Sequence, residues 1–187
     1  MTTRDDDNLP LDAWNEAISE ISDNGRERRR TATDAQRKAL AETLDLVDVA
    51  QLQSTYRIKP LSRARFHIEG TVTAQVTQTC VVTLEPVPGS VDENFALEFW
   101  PDTDLPDAPT GEVEIAHVLD IEGYARGALP IGRIVYETFA AGLDPNPRAQ
   151  GAAFDWRDPK AGADSEGGKT NPFAALKSLK LEPKKTK

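Results

Sequence analysis

Three side chains in this chain have the chemistry of a metal ligand or a nucleophile: Cys80, His67 and His117. A single cysteine permits no internal disulfide and supplies no set of thiolates for a structural zinc ion. The two histidines lie 50 residues apart, and no spacing ties either of them to the cysteine. The residues therefore favour a buried core thiol at Cys80 over a metal site.

A catalytic role is also disfavoured by the sequence. A nucleophilic thiol needs a base and an electropositive setting, whereas the charged residue nearest to Cys80 is Glu85, which is expected to raise the thiol pKa. Nuclease chemistry usually requires clustered carboxylates for two metal ions or a histidine acid and base. We therefore predict a protein that is not an enzyme, with no catalytic, cofactor or metal residues.

Two glutamates are candidate binding residues. Glu85 precedes Pro86 and Glu122 precedes Gly123, and the simplest interpretation of both pairs is a turn. The functional alternative for Glu85 is that its carboxylate meets a basic protein or an RNA 2'-hydroxyl. Glu137 is predicted to be a solvated helix residue.

A short apolar island interrupts the C-terminal tail. It comprises Asn171, Pro172 and Phe173, followed by Lys177 and Lys180. Phe173 would be the apolar anchor, and the lysines would contact phosphates or an acidic surface. Docking on a partner and docking back on the domain remain equal alternatives.

Charge limits the class of partner. The net charge of -9 argues against a surface that is basic all over, so nucleic-acid binding would have to be local. Residues 85–126 hold eleven acidic side chains and one basic one, whereas residues 169–187 hold six lysines and one glutamate. The tail is therefore the most cationic region, and we expect no binding of DNA.

The sequence contains no membrane or secretory signal. No stretch approaches the roughly 18 apolar residues that a membrane-spanning helix requires. The acidic, polar N-terminus is unlike a secretory signal peptide. We expect a cytoplasmic protein that does not contact a membrane.

The clearest structural signal is an alternating run over residues 64–82. Its odd-numbered positions are mainly polar, which predicts an antiparallel sheet with one solvated face. Nineteen residues exceed an ordinary strand, so Gly70 is predicted to mark a bend, bulge or turn that divides the run. The even-numbered positions, interrupted only by Gln78, are Ala64, Phe66, Ile68, Gly70, Val72, Ala74, Val76, Cys80 and Val82.

Shorter strands flank this run. Leu52, Tyr56 and Ile58 predict a strand that Pro60 ends, and Phe95, Leu97 and Phe99 predict another after a turn at residues 86–89. A surface loop over residues 101–111 would precede a last strand over residues 113–119. The arginine-rich residues 26–30 favour an edge strand or a solvated connection over an RNA-binding patch.

Two helices are predicted, and a third, short amphipathic segment is compatible with one. This segment, residues 11–21, places Trp14, Ile18 and Ile21 on one helical face. The first of the two helices begins at a cap on Thr33 or Asp34 and ends near Leu44. The second covers residues 129–143, with Pro130 in its first turn and Gly142 near its end.

The predicted fold class is α+β. It consists of a curved, mainly antiparallel sheet, open or barrel-like, with two or three packing helices and flexible termini. Residues 1–10 are predicted to be a disordered leader and residues 11–148 a single domain. Residues 149–187 are predicted to be a flexible linker and basic tail.

Three segments, in this order, resemble the YceD family. They are Cys80-Val81-Val82-Thr83-Leu84-Glu85-Pro86-Val87, then Ile121-Glu122-Gly123 leading into the helix over residues 129–143, and Asn171-Pro172-Phe173-Ala174-Ala175-Leu176. The sequence Leu143-Asp144-Pro145-Asn146-Pro147-Arg148 is similar to the alphaproteobacterial branch of that family. The resemblance covers residues 51–180.

The resemblance implies a non-catalytic ribosome biogenesis factor that supports accumulation or processing of large-subunit ribosomal RNA. Its partner would be the RNA precursor, a ribosomal protein or an assembly factor. The alternative is an acidic adaptor or chaperone for a basic ribosomal protein, without RNA contact. Many relatives carry Cys-x-x-Cys at the Leu-Glu-Pro turn, but Thr83 stands at the second position here, so metal binding is not carried over.

Overall fold

The computed structural model describes residues 9–105, 120–125 and 127–153 of the chain. The helices are α1 (Asp34–Thr43) and α2 (Ile131–Ala141), and Ile18–Glu20 and Asp102–Asp104 form single 3-10 turns. These elements lie in one compact unit that ends at Ala152, and they confirm the α+β class. The strands are β1 (Glu16–Ala17), β2 (Arg26–Thr31), β3 (Asp48–Pro60), β4 (Phe66–Thr79), β5 (Pro86–Pro101), β6 (Ile121–Tyr124) and β7 (Ala128–Leu129).

Five strands form the main sheet, in the order β2-β3-β4-β5-β6. All neighbours are antiparallel except β5 and β6, which are parallel. The linear order leaves β2 and β6 at the edges, so in the described part of the chain the sheet is open and not a closed barrel. β1 and β7 form a separate antiparallel pair. Neither helix in this part is long and apolar enough to span a membrane.

The core lies on one face of the sheet, against α2. The alternation in β4 is confirmed, because Phe66, Ile68, Val72, Ala74 and Val76 are all buried. Each of these side chains except Ala74 stabilises the fold by roughly 1.5 to 3 kcal/mol relative to exposure. Of the outermost even-numbered positions, Cys80 is buried, Val82 is half-buried and Ala64 is exposed. The core residues of α2 are Ile131, Ile134, Val135 and Phe139.

Gly70 does not divide the alternating run. β4 continues through it as a single strand of 14 residues, so the predicted division of the run is wrong. A Cβ at Gly70 would lie 2.7 Å from both the Phe95 ring and the Tyr56 Cβ. Glycine is needed there because large neighbours on β3 and β5 fill the space, and the backbone can stay extended.

The predicted turn at residues 86–89 is also wrong. The turn occupies residues 80–85, and Pro86 already pairs with Thr79 as the first residue of β5. Glu98 donates its backbone N–H to Asp120, away from β4. Backbone groups of alternate residues in a strand point to the same side, so the nitrogens of Pro86 and Pro88 point away from β4, as that of Glu98 does. A proline, which has no N–H, therefore removes no hydrogen bond to β4 at these positions.

The turn expected at Glu122-Gly123 is replaced by a strand. Both residues belong to β6, and Glu122 pairs with Phe99 while Gly123 pairs with Trp100. A Cβ on Gly123 would overlap a carboxylate oxygen of Asp102. Gly123 therefore provides close approach to the 3-10 turn after β5 and does not reverse the chain.

The N-terminal segment does not form the helix that its apolar spacing allows. Residues 11–21 contain β1 and a 3-10 turn instead, although the apolar residues do reach the core. Trp14 is buried, and Ile18 and Ile21 are partly buried against the core. The segment is held by α2 and β7, and helical periodicity alone did not reveal those contacts.

The other two helices agree with the sequence. Thr33 caps α1 in a capping box with Gln36, and α2 begins after Pro130 and ends before Gly142. Residues 26–30 do form an edge strand, as part of β2. The strand predicted at 113–119 lies outside the described residues, as do the leader up to residue 8 and the tail from residue 154.

Candidate functional site

The structure places the two predicted glutamates at opposite ends of β5. Glu85 is exposed and ends the turn before β5, where its carbonyl accepts the backbone N–H of Cys80 at 2.8 Å. Glu122 lies beside the far end of β5, and its carboxylate is 3.8 Å from Arg133. They do not form a common site. Asn171, Pro172, Phe173, Lys177 and Lys180 lie outside the described residues.

The face of the sheet opposite the core, here called the open face, is polar throughout. None of its side chains in the rows given below is buried. Hydroxyl, amide and charged groups on a continuous surface suit a partner that offers many hydrogen-bonding groups. From β2 to β5, its cross-strand rows are Glu27-Arg57-Glu69-Ala96, Arg29-Thr55-Thr71-Asn94 and Thr31-Gln53-Thr73-Asp92.

One end of the open face carries a cluster of basic side chains, with Glu69 and Glu98 beside them on β4 and β5. The basic residues, called the basic end, are Arg57, Lys59, Arg63, Arg65 and His67, from β3, β4 and the loop between them. Lys59 donates a hydrogen bond to Glu69 at 2.8 Å, and this contact lowers the pKa of the Glu69 carboxyl. Glu69 therefore neutralises part of the basic end and stays ionised to lower pH than an isolated glutamate.

Trp100 adds an aromatic surface to the basic end. The Arg65 guanidinium carbon lies 3.4 Å from the centroid of the Trp100 ring, a cation-π contact. The indole N–H of Trp100 donates to Glu98 at 2.8 Å, which fixes the ring. Arg65 Nε is buried without a hydrogen-bond partner among the described residues, so stacking is the main contact that holds this guanidinium.

The loop that carries these arginines is held in place by an aromatic pair. Tyr124 donates its hydroxyl hydrogen to the carbonyl of Ala64 at 2.6 Å. Its ring meets Phe66 edge-to-face at 5.9 Å between centroids. Arg63 and Ala64 have positive φ angles of 61° and 54°, a conformation that the Tyr124 contact helps to stabilise. The basic end is thus anchored to β6 and the core.

Cys80 is buried, as predicted, but its sulfur is in a polar setting. Sγ accepts backbone N–H bonds from Val82 at 3.4 Å and from Thr83 and Ala149 at 3.3 Å. The Thr83 side chain, followed by these N–H groups, lowers the pKa of the Cys80 thiol to about 6. The expectation that Glu85 raises this pKa is wrong, because backbone donors surround the sulfur.

These contacts do not fit a metal ion. Cys80 is the only cysteine of the chain, and Thr83 and Ala149 both approach its sulfur through their backbone amides. The described residues contain no group of three or more His, Cys, Asp or Glu side chains that could hold a metal. Hydrogen bonds to sulfur tie the segment after α2 to the turn before β5, with Val81 N–H to Pro147 O at 2.9 Å as a second link.

We expect Cys80→Ala to destabilise the protein more at pH 9 than at pH 5.5. The folded pKa lies below the unfolded value, so the stabilisation is present above the ordinary thiol pKa and is lost as pH falls through about 6. Urea unfolding of both proteins at the two pH values measures the difference. Thr83→Val, which keeps the sulfur, controls for loss of the hydroxyl. An equal gap at both pH values would contradict the thiolate assignment.

A buried ion cluster that the sequence did not predict lies on the core face of β2. Glu16 is 1% exposed and accepts hydrogen bonds from Arg30 at 2.6 Å and Tyr56 at 2.7 Å. Arg26 and Arg28 each approach its second oxygen at 3.5 Å. Burial, with the bond to Glu16, raises the pKa of Tyr56 well above its ordinary value, so the hydroxyl stays protonated.

The signal for this cluster was the spacing of the arginines. Residues 26, 28 and 30 share one face of a strand, so a strand interpretation already placed three positive charges on that face. Nothing in the sequence pointed to Glu16, which arrives from β1. Three of the four arginines are thus held by carboxylates, and Arg29 bonds Gln53 on the open face at 2.7 Å.

Comparison with known proteins gives one match. A family model described as large ribosomal RNA subunit accumulation protein YceD matches residues 68–180, which is more than half of the 187 residues. The match runs from β4 through the Cys80 turn and α2 to the Asn-Pro-Phe segment, and it confirms the resemblance found in the sequence. No curated protein and no solved structure matches the chain.

Proposed function

This chain belongs to the YceD family, whose description assigns a role in large-subunit ribosomal RNA accumulation, and we propose that it is a cytoplasmic, non-catalytic factor that binds this RNA. The RNA is held in place and not converted. The observation that supports direct RNA contact is the stacked pair of Arg65 and Trp100 at the basic end of the open face.

The basic end has the groups that unpaired RNA requires. Arginine and lysine neutralise phosphates, and an indole with a guanidinium over its ring forms the kind of planar, cationic surface on which bases stack. The neighbouring threonine, glutamine and asparagine side chains can bond 2'-hydroxyls and base edges without ionising near neutral pH. A local site of this kind is compatible with the net charge of -9.

We expect Arg65→Ala to weaken binding of a labelled single-stranded fragment of large-subunit ribosomal RNA about tenfold, since one stacked base is worth about 1 to 3 kcal/mol. Fluorescence anisotropy of the full chain at several salt concentrations measures this. The slope of the logarithm of the binding constant against the logarithm of the salt concentration should become shallower by about one, the value for one lost phosphate contact. Arg65→Lys keeps the charge and loses the planar group, so its affinity should be intermediate.

Lys38→Ala is the matched control. Lys38 lies on α1 with its side chain 80% exposed, and its removal changes the net charge by the same amount. Unchanged affinity in Lys38→Ala together with a loss in Arg65→Ala would support the basic end. Equal losses would mean that RNA responds to overall charge, and no RNA binding by the wild type would refute direct contact.

A second candidate function is an adaptor for a basic ribosomal protein. It is supported by the eleven acidic residues within residues 85–126, of which Glu93, Asp120 and Glu122 line one groove together with Glu137 of α2. Crosslinking in cells, with RNA and protein partners scored in the same sample, separates the two functions. The cationic tail, with Phe173, Lys177 and Lys180, is proposed to add electrostatic affinity, and deletion of residues 171–187 tests that contribution.

A further inference from the structure

A groove, here called the edge groove, lies between the outer edge of β5 and α2. Its volume is about 470 Å³. Phe95, Leu97, Ile121 and Ile134 supply the apolar part of its lining. Leu97 and Ile134 are buried, whereas Phe95 and Ile121 are half-buried, so an apolar side chain from outside can reach this surface.

The backbone of β5 has groups at the edge groove that no strand of the described residues pairs. Glu98 donates its N–H to the carbonyl of Asp120 at 2.9 Å, away from β4. Alternation along an antiparallel strand then directs the N–H and C=O groups of Asn94 and Ala96 to the same side. β6 pairs only with residues 98–101 of β5, and no other strand of the described ranges covers Asn94 or Ala96. Such an edge is a template for an added strand.

The charge around the edge groove is negative. Four carboxylates line it, from Glu93, Asp120, Glu122 and Glu137. Arg133 is 2.9 Å from Glu137 and 3.8 Å from Glu122. One guanidinium against four carboxylates leaves an excess of negative charge, which attracts a cationic partner and repels phosphates.

We propose that the edge groove binds an extended, lysine- or arginine-rich segment of a partner protein, which adds as a strand to β5. Its backbone pairs with Asn94 and Ala96, and its basic side chains meet the carboxylates. Apolar side chains at alternate positions face Phe95 and Ile134. This inference rests on the adaptor function proposed above and specifies how the partner binds; the surface is separate from the basic end and does not depend on RNA binding there.

The test uses a labelled peptide of alternating lysine and valine with the full-length protein. Fluorescence anisotropy is expected to show binding that weakens as salt rises, and no binding of the matching glutamate-valine peptide. Glu93→Lys should weaken binding at least tenfold, whereas Glu42→Lys, the same charge change on an exposed residue of α1, should not. Glu93 is itself exposed, so the substitution should not disturb the core.

Asn94→Pro tests strand addition directly, because it removes an outward N–H and leaves the bonds to β4 in place. Pro86 and Pro88 already occupy β5 positions of the same parity, so the fold should tolerate a third proline. Binding should be lost. Two further lysine-valine peptides carry N-methyl groups on every second amide, one on the odd-numbered and one on the even-numbered positions. Only the peptide whose methyl groups block the amides that pair with β5 should lose binding, and the protein is unchanged in this test.

Wild-type affinity in both Glu93→Lys and Asn94→Pro would overturn the proposal, as would equal weakening in Glu42→Lys. Dimers that Asn94→Pro converts to monomers, without peptide binding, would assign the edge to a second copy of the chain. Tighter RNA binding by Glu93→Lys with unchanged peptide affinity would assign the groove to RNA. The Arg65→Ala protein should bind the peptide normally, so failure at one surface is distinguishable from failure at the other.

Discussion

Replacement of Glu16 by alanine is expected to lower the free energy of unfolding by about 3 to 5 kcal/mol, the usual effect of removing one partner from a buried ion pair. The Glu16 carboxylate accepts hydrogen bonds from Arg30 and Tyr56. It also forms ion pairs with Arg26 and Arg28. Without it, a buried tyrosine hydroxyl and the Arg30 guanidinium lose their common acceptor. Chemical denaturation of the full chain at neutral pH measures the change.

The matched control is Glu20→Gln. Glu20 contacts two of the same arginines, at 2.7 Å from Arg26 and 3.8 Å from Arg28, but its side chain is 59% exposed. Its loss should cost at most about 1 kcal/mol. Glu16→Gln, which can still accept from Tyr56, should fall between the two. Equal small losses in Glu16→Ala and Glu20→Gln would contradict a structural role for the buried cluster.

Replacement of Gly132 by alanine is expected to cost about 3 kcal/mol or more, at the upper end for overpacking. A Cβ there would overlap the carbonyl oxygen of Leu11, which is backbone and cannot rotate away. Gly132 also donates its N–H to Trp14 at 2.8 Å. The substitution therefore forces the N-terminal segment off α2 and exposes Leu11 and Trp14, both of which are buried.

Urea unfolding of the full chain gives the stability loss, and hydrogen exchange of residues 9–21 locates it. Gly89→Ala is the control, because its Cβ would meet only Val76 at 3.5 Å and Gln78 at 3.8 Å, ordinary contact distances. That variant should lie within about 1 kcal/mol of wild type. Normal protection of residues 9–21 in Gly132→Ala would disprove the close packing between this segment and α2.

The two proposed surfaces divide the charge of the molecule. The basic end lies on the open face, and the edge groove lies between β5 and α2, where carboxylates predominate. Phosphates are attracted to the basic end and repelled by the edge groove. A basic peptide is attracted to the edge groove and repelled by the basic end. The two proposals therefore place RNA and a basic protein on different surfaces, so that variants at one surface test one proposal without affecting the other.

Local patterns determined much of this protein without a structure. Alternation in β4 identified the buried face, since side chains of a strand alternate between its faces. Capping and termination residues located α1 and α2 closely, because a helix end must satisfy its own backbone groups within a few residues. The three family segments also identified the family from the sequence alone.

Tertiary structure decided the features that depend on residues far apart in the chain. Phe95 and Tyr56 leave no room for a side chain at Gly70. Backbone amides, including that of Ala149, make the surroundings of the Cys80 sulfur polar. The stacking of Arg65 on Trp100 and the partner of the β2 arginines, Glu16, likewise join separate elements. Periodicity reports which face of an element a residue occupies, whereas packing and charge pairing depend on what another element brings to that face.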